Sequence, residues 1–453
     1  MLTPPTLGRP FYACGMASDP LALPVDDEAR RALAPHGLRM DLIDPSDDAD
    51  TRSWMEADSR GFHEGAPDDE TFALVHGDFA FSRTIAVRDD ALTDPRIPVG
   101  TITSWPAAVT VPGGEVTGWA ISGVTVAPTH RRRGIARAML EGELRAAAAA
   151  ELPIAVLTVS EATIYTRYGF GPAAWAASLE VQAQRAGWLG AETPGRVQLV
   201  ERATAIATAR ELLPEARRRT VGDVEIVGHR FDRLFGSKTD VPELRRRRFV
   251  RYDDEDGVPR GLAVYAVRQE DPGDFSSHAV DVRHLASTTD DAYRALWRYL
   301  LELDLVRTVR APLRSTDEPL RWLVRDQRAI RTTDLREHLW VRVLDPVAAF
   351  SARTYGGSGR LALRVTDPAG YAEGSFVIQA SEGFAPRVAR AGAGGDVPTL
   401  ELPVDALGSL YLGGVSAVTL ARAGRIAERT PGAALAADRL LRAPEPPLLA
   451  TWF

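Results

Sequence analysis

Three arginines and a glycine separate a strand-like segment from a helix-like one between Val124 and Ala150. Pro128 ends the strand, and strong helix formers begin after Gly134. A turn that opens a helix presents unpaired N–H groups and the positive end of the helix dipole, so it can bind a phosphate. The residues concerned are Val124, Thr125, Val126, Arg131, Arg132, Arg133, Gly134, Ile135, Ala136 and Arg137. The alternative is a solvated basic turn that begins an ordinary helix.

Tyr165 is the second candidate, and it follows the next strand-like segment, Ile154 to Val159, by a few residues. A phenol with a pKa of about 10 keeps its proton at neutral pH and can donate it to a leaving group. The alternative is a core tyrosine that packs under the basic turn. Ser160 and Glu161 stand between the strand and this tyrosine.

Two sequence blocks carry a resemblance to a known family. The motif Arg131-x-x-Gly134-x-Ala136 behind a strand resembles the acyl-CoA pyrophosphate loop of GNAT-type N-acetyltransferases, and Tyr168-Gly-Phe-Gly resembles the turn after their fifth strand. The phrases Val126 to Gly134, Ser160-Glu161 with Ile164-Tyr165, and Asp405 to Gly413 resemble the Eis (enhanced intracellular survival) acetyltransferases more narrowly. The likeness runs from about Met40 to Phe453.

This resemblance implies acetyl-CoA as cosubstrate and a primary amine as acceptor. The backbone of Val124–Val126 would hold and polarise the acyl carbonyl, and the turn from Arg131 to Arg137 would hold the pyrophosphate. Ser160 and Glu161 would lie where the fifth strand separates from the fourth to admit the coenzyme. Tyr165 would be the general acid that protonates the thiolate.

The resemblance also implies an unusual general base, the C-terminal carboxylate of Phe453. The last ten residues end in an apolar tip, whose side chains would each lose about 1.5–3 kcal/mol by staying exposed. Burial would raise the carboxylate pKa from about 3.5 toward a value suited to proton abstraction. The alternative is a C-terminal strand packed for stability, with its carboxylate in water. Trp452 stands where a mycobacterial member of the family would carry an acidic residue, so the substrate range is expected to differ.

The acceptor is expected near the first long helix and the loop after it. The predicted substrate-binding residues are Trp54, Phe62, His63, Glu64 and Trp452. The acceptors implied by the resemblance are polycationic small molecules, aminoglycosides above all, and lysine side chains. The alternative for each of the five predicted binding residues is an ordinary core or surface position, which is the more frequent role of such residue types.

The sequence predicts a mixed α/β (α+β) fold with two tandem GNAT-like domains and a sterol-carrier-like domain. The predicted segments are a loosely ordered extension over 1–38, a catalytic domain over 39–184, a second GNAT-like domain over 185–344 and the last domain over 345–453. Strands and helices recur in the second domain in the same order. Its turn from Ser287 to Asp291 has no glycine and two carboxylates, which would repel an anion, so this domain is expected to lack the CoA loop.

Composition limits the other functions. The net charge of −7 argues against a nucleic-acid partner and favours cationic ones. One cysteine, Cys14, allows no internal disulfide and no cysteine-based metal cluster, so we expect no metal. The apolar run from Ala146 to Val159 is broken by Glu151 and Pro153, so no membrane insertion is expected. A cytoplasmic location follows, although export by a route that needs no signal peptide stays open.

Two functions remain at this stage. The preferred one is an acetyl-CoA-dependent N-acetyltransferase, which the resemblance predicts to assemble as a homo-hexamer from two trimers. The other is a non-catalytic acyl-CoA- or lipid-binding protein that uses the sterol-carrier-like domain. The intact turn at Arg131 to Ala136 and the presence of Tyr165 favour the enzyme.

Overall fold

The computed structural model describes residues 19–236, 246–381, 384–390 and 397–453. Cys14 and the other residues of 1–18 therefore lie outside the described residues. The first domain contains α1 (Asp27–Leu33), β1 (Leu38–Leu42), α2 (Asp48–Gly61), α3 (Asp69–Val75), β2 (Arg83–Asp89), β3 (Gly100–Val111), β4 (Gly114–Val126), α4 (Ile135–Ala149), β5 (Ile154–Thr158) and β6 (Gly171–Gln182).

The second domain repeats the alternation of strands and helices. It contains α5 (Ala183–Ala186), β7 (Arg196–Leu199), α6 (Arg202–Arg218), α7 (Gly228–Phe235), β8 (Arg247–Asp253), β9 (Pro259–Gln269), β10 (His278–Ser287), α8 (Asp290–Leu301), β11 (Val306–Arg314) and β12 (Ile330–Val343). In each domain a helix links two parallel strands: α4 joins β4 to β5, and α8 joins β10 to β11. The repeat that the sequence predicts is therefore present.

The two domains share one sheet. Its strand order is β1-β2-β3-β4-β5-β12-β6-β11-β10-β9-β8-β7. The last strand of the second domain, β12, lies between β5 and β6 and pairs antiparallel with both. The second domain thus completes the sheet of the first, and the sequence pattern does not reveal this exchange.

The third domain has its own sheet with the order β15-β14-β13-β16-β17. Its elements are α9 (Pro346–Ser351), β13 (Gly359–Thr366), β14 (Gly374–Ala380), β15 (Arg387–Arg390), β16 (Thr399–Pro403), α10 (Val404–Tyr411), α11 (Ala417–Arg422), β17 (Ala427–Glu428) and α12 (Ala433–Leu441). Helix α10 lies directly on the large sheet, since a Cβ on Gly408 would come within 2.1 Å of the Val341 carbonyl oxygen. The predicted mixed α/β class with a distinct last domain is confirmed.

The expectation of a loosely ordered extension is wrong for residues 19–38. Helix α1 buries Ala29 and Leu33 in the core of the first domain. It packs closely on α4, because a Cβ on Gly142 would lie 3.3 Å from the Asp26 Cβ. The Asp26 carboxylate also accepts a hydrogen bond of 2.7 Å from Arg145. Proline content suggested disorder, but a short amphipathic helix covers the apolar face of α4 instead.

Helix α4 is amphipathic as its sequence predicts. Ile135, Met139, Leu140 and Leu144 are all buried on one side. In the part of the chain that the structure describes, no helix is both long enough and apolar enough to cross a membrane.

Candidate active site

The first part of the site is the gap between β4 and β5. The strands pair in parallel from Gly118–Ile121 against Ile154–Leu157, and within the described residues the pairing goes no further. On the other side of β4, the register with β3 shifts between Thr101 and Thr103, and Gly123 takes a φ of +60°. This bulge turns β4 away from β5, so its last five residues are only half-buried.

The end of β4 therefore has a free edge. Thr125 and Val126 pair with β3 only, and Val124 lies in the bulge between the paired residues Ser122 and Thr125. Because alternate residues of a strand direct their N–H groups to opposite edges, these three residues present at least one N–H group to the gap. A carbonyl oxygen or an extended ligand can be bound there by strand-like hydrogen bonds.

The second part of the site is the N-terminus of α4. Gly134 is the N-cap with a φ of +81°, and no side chain among the described residues caps the helix. The first intrahelical bond runs from the Ala138 N–H to the Gly134 carbonyl oxygen, so the N–H groups of Ile135, Ala136 and Arg137 point out of the helix. Apart from Gly134's own neighbours in the chain, no described atom lies within 4 Å of the position that a Cβ on Gly134 would take. An anion can reach these amides without obstruction.

The arginines of the turn surround this end of α4. Arg131, Arg132 and Arg137 are exposed, and the Arg133 guanidinium lies 3.7 Å from an Asp89 oxygen. Their charges and the uncapped amides fit the diphosphate of a coenzyme A.

Tyr165 opens a 3₁₀ turn, Tyr165–Tyr168, beyond the end of β5. Its ring is buried and packs edge-on against Phe170, with 6.3 Å between the ring centroids. Burial, and to a lesser degree the negative charge of Glu161, raises the pKa of Tyr165 to about 12. The phenol is therefore protonated at neutral pH. Ser160 and Glu161 are exposed between β5 and this turn.

The C-terminal segment returns to the end of β5. The Thr158 hydroxyl donates a hydrogen bond of 2.7 Å to an oxygen of Phe453. The Phe453 ring packs edge-on against Trp105, with 5.7 Å between centroids. The residues before it are anchored, since Leu448 and Leu449 are buried. The Phe453 carboxyl group thus lies at the point where β5 separates from β4.

A cavity of about 1160 Å³ lies between the first and second domains. Trp54, Trp105 and Gly123 line it from the first domain, and Leu448 and Ala450 line it from the C-terminal segment. Among the described residues, its charged lining comprises nine carboxylates and seven arginines: Asp58, Glu64, Asp78, Asp223, Glu225, Asp232, Asp290, Glu318 and Glu445, and Arg210, Arg217, Arg219, Arg230, Arg233, Arg294 and Arg314. The cavity therefore reaches the bulge in β4 from the side opposite α4.

Two of the predicted substrate-binding residues, Trp54 and Glu64, line this cavity, and the other three do not. Phe62 follows the end of α2 and is 43% exposed. His63 is exposed on the same loop. Trp452 is 46% exposed, and its ring packs on His338 at 4.3 Å rather than in the cavity. The sequence placed Phe62, His63 and Trp452 near the acceptor region, but it could not show that their side chains lie outside the cavity.

Family profiles match all three domains. Residues 43–173 and 229–343 each match an acetyltransferase (GNAT) domain, and residues 346–450 match a sterol carrier protein domain. The chain is 36% identical over 421 residues to a protein of Streptomyces griseus described as an uncharacterized N-acetyltransferase, covering 89% of this chain and 97% of that one. It is 33% identical over 352 residues to N-acetyltransferase Eis of Mycobacterium tuberculosis, covering 76% of this chain and 82% of that protein.

The chain belongs to the Eis family of N-acetyltransferases. The crystal structure of Eis1 from Mycobacterium abscessus superposes with a TM-score of 0.76 at 28% identity, over 92% of this chain and all of Eis1. A GCN5-related N-acetyltransferase from Anabaena variabilis shares the fold, with a TM-score of 0.75 at 20% identity over 92% of this chain and 100% of that one. This Eis-family protein is an acyltransferase, as the sequence resemblance predicted.

In the second GNAT domain of this Eis-family chain, the start of α8 differs from the start of α4. Thr289 caps α8 by accepting a hydrogen bond of 3.2 Å from the Ala292 N–H. Asp290 and Asp291 occupy the first turn of the helix. A side chain thus caps one first-turn amide of α8, whereas none caps α4 among the described residues, and two negative charges lie beside the start of α8.

Several residues that shape the site were missed by sequence analysis. His130 is buried in the connection between β4 and α4, residues 127–134, which we call the CoA turn. It bonds an Asp89 oxygen at 3.0 Å, which holds the turn against β2. An Ala91 N–H and then His130 keep the pKa of Asp89 below its usual value. No sequence motif indicated this pair, because His130 and Asp89 are far apart in the chain.

Charged groups in the cavity were missed as well. Burial raises the pKa of Asp58 to about 7 and that of Asp223 to about 7. The Arg230 guanidinium lies 4.3 Å above the Trp105 ring, and burial lowers its pKa to about 10. Within the described residues, no group of three or more histidine, cysteine or carboxylate side chains could hold a metal ion.

Acid should weaken the docking of the C-terminal segment through His338. This buried side chain bonds the Thr451 carbonyl oxygen through Nε2 at 2.7 Å, and its Nδ1 has no partner among the described atoms. Burial lowers the pKa of His338 from 6.5 to about 4. The unfolded chain therefore binds this proton more readily. Stability from this group is complete above pH 6.5 and is lost as the pH falls toward 4, by about 3 kcal/mol in all.

This effect can be measured by comparing denaturant unfolding at neutral pH with unfolding near pH 4.5. His338→Gln keeps a donor for the Thr451 carbonyl but does not titrate, so its acid loss should be smaller than that of the wild type. His278→Gln changes a less buried histidine and serves as the control. An identical acid loss in His338→Gln and the wild type would contradict the prediction.

Proposed function

We propose that this Eis-family protein transfers the acetyl group of acetyl-CoA to primary amines of polycationic small molecules, aminoglycosides above all, and of lysine side chains. One observation carries the proposal. The uncapped N-terminus of α4, with Gly134 as N-cap, follows the free edge at the end of β4, and the cavity reaches the bulge of the same strand from the other face of the sheet. A thioester and an amine bound on the two sides of this bulge would be held close together, which supplies much of the rate of a two-substrate transfer.

In this proposal the amine nitrogen attacks the carbonyl carbon, the C–S bond breaks, and the coenzyme leaves as a thiolate. The backbone of Val124–Val126 stabilises the charge on the carbonyl oxygen. Ser160 and Glu161 border the coenzyme where the strands separate. Tyr165 gives its proton to the thiolate, and its pKa of about 12 means that the phenol carries this proton at neutral pH.

The Phe453 carboxylate is the general base in this proposal. It takes the proton that the attacking ammonium must lose. The hydrogen bond from Thr158 to this group and the packing of the Phe453 ring on the cavity-lining Trp105 support this role. The conflicting interpretation, a packed C-terminal strand whose carboxylate only contacts water, uses the same contacts for stability alone.

The cationic acceptor is supported by the carboxylates of the cavity. Asp58, Glu64, Asp223, Glu225 and Glu445 all line it. One of the cavity arginines, Arg217, is paired with Glu115 at 3.0 Å. Carboxylates without a salt-bridge partner attract ammonium groups most strongly where water is excluded.

The direct test measures thiol release from acetyl-CoA with and without kanamycin. We expect release that requires both substrates, and a kanamycin product that is heavier by one or more acetyl groups. No turnover across a panel of amines, together with tight lipid binding, would favour the alternative of a non-catalytic acyl-CoA- or lipid-binding protein.

Extending the chain by two or three residues beyond Phe453 should lower kcat by about 100-fold or more, because the proposed base would become a peptide carbonyl. Acetyl-CoA affinity should stay within about twofold of the wild type, since the CoA turn lies on the other side of β4. Adding the same residues before Met1 is the control. Full activity in the extended protein would rule out Phe453 as the base but would leave Tyr165 as the acid.

Assembly into a hexamer and a cytoplasmic location stay predictions. Trp175 on β6 and Leu335 on β12 are 38% and 56% exposed on one face of the large sheet, which supports contact with a second copy.

A further inference from the structure

Asp58 on α2 is a half-buried residue whose carboxyl group has one fully buried and unsatisfied oxygen. Its Oδ1 is inaccessible to solvent, and no described atom forms a hydrogen bond with it. The side chain lines the large cavity. A buried carboxylate without a partner is costly in a folded protein, so such a group is expected where a ligand supplies the missing donor.

The position of Asp58 relates it to the transfer site. A Cβ on Gly123 would lie 3.1 Å from Asp58 Oδ1 and 3.0 Å from the edge of the Trp54 ring. Gly123 precedes Val124, whose backbone belongs to the free edge of β4. The carboxylate therefore lies against the bulge, on the cavity side of the strand that would hold the thioester.

The charges around Asp58 leave room for a cation. Arg230 on α7 attracts the carboxylate, and Glu64 in the loop after α2 repels it. No hydrogen bond joins Arg230 to Asp58 in the described residues, and the guanidinium packs on Trp105 instead. The strand residues that face Asp58, Ser122 and Gly123, are uncharged.

We propose that Asp58 binds the acceptor directly: its carboxylate accepts a hydrogen bond from an ammonium group of the amine substrate and holds that group beside Gly123, facing the acyl carbonyl. This inference rests on the proposed transfer to amines and names the side chain that selects a cationic acceptor. Trp54 forms the apolar wall on which the carbon atoms next to the ammonium pack. Burial raises the pKa of Asp58 to about 7, so the free protein carries this charge only partly at neutral pH.

The test measures kanamycin affinity by calorimetry on the CoA-saturated protein. Asp58→Asn keeps the shape and removes the charge, and Asp58→Ser is a second variant if the first does not fold. We expect both to weaken kanamycin binding by about 10- to 100-fold, the range for a hydrogen bond to a charged group. Coenzyme A affinity should be unchanged. Asp290→Asn is the matched control, because Asp290 lines the same cavity from the second domain and is exposed.

A pH series separates direct binding from a structural role. The affinity ratio of wild type to Asp58→Asn should grow from about pH 6 to about pH 8, as the carboxyl group ionises. Equal kanamycin affinities in the wild type and both variants, or no kanamycin binding to the wild type, would overturn the inference. Failure of the proposed function is a different result: Asp58-dependent kanamycin binding without any acetyl transfer would remove the activity and leave the binding role of Asp58 in place.

Discussion

Replacing Gly134 with glutamate should lower the affinity for acetyl-CoA by about 100-fold or more. The new carboxylate would stand at the uncapped start of α4, in space that is open in the structure. There it would bind the free amides and repel the diphosphate, and two like charges about 4 Å apart near a protein surface cost on the order of 4 kcal/mol. Isothermal titration with acetyl-CoA measures the effect.

Two controls isolate the charge from the backbone strain of a φ of +81°. Gly134→Gln adds a side chain of the same size without charge and should lose much less affinity. Gly432→Glu makes the same change at the N-cap of α12, where φ is +83° and the Cβ position is also open. It should leave acetyl-CoA binding unchanged. If Gly134→Glu binds the coenzyme as tightly as Gly432→Glu does, the assignment of the CoA turn is wrong.

Replacing Tyr165 with phenylalanine should lower kcat by about 100-fold or more, because a general acid contributes about 10²–10⁴ to the rate. The KM for acetyl-CoA should change little, since the ring and its packing on Phe170 are retained. Because the Tyr165 pKa is about 12, the wild type should keep the activity that depends on this group up to strongly alkaline pH. Steady-state kinetics with kanamycin measures both constants.

Tyr168→Phe is the matched control for this prediction. Tyr168 lies in the same 3₁₀ turn and is also buried, but it has no assigned role in the chemistry. The Tyr168→Phe variant should keep kcat within about twofold, because it removes a hydroxyl group that takes no part in the proposed chemistry. Equal losses in both variants would show that the turn is needed for folding rather than Tyr165 for proton transfer.

The uncapped helix start to which we assign CoA binding could be predicted because it depends on local backbone geometry. A strand that ends at Pro128, a glycine at the helix start and no acidic residue in the first turn of α4 are all visible along a few residues. The same reasoning predicted that the second domain lacks this site, because two aspartates at the start of its helix would repel an anion. The structure adds that Thr289 caps this helix.

The folded structure of residues 19–38 could not be predicted in the same way. Prolines suggested disorder, while the helix α1 gains its stability from the apolar face of α4, more than a hundred residues later in the chain. Short helices are marginal by themselves and are stabilised mainly by packing.

The sequence by itself determined the family, the three-domain order, and the turn and tyrosine that we assign to acetyl transfer. Only the tertiary structure decided that β12 completes the first domain's sheet, that His130 and Asp89 hold the CoA turn, and that Asp58 and Arg230 share one cavity. The physical reason is the range of the interactions. Caps, turns and helix dipoles act over a few neighbouring residues, whereas burial and charge pairing depend on which distant segments the fold brings together.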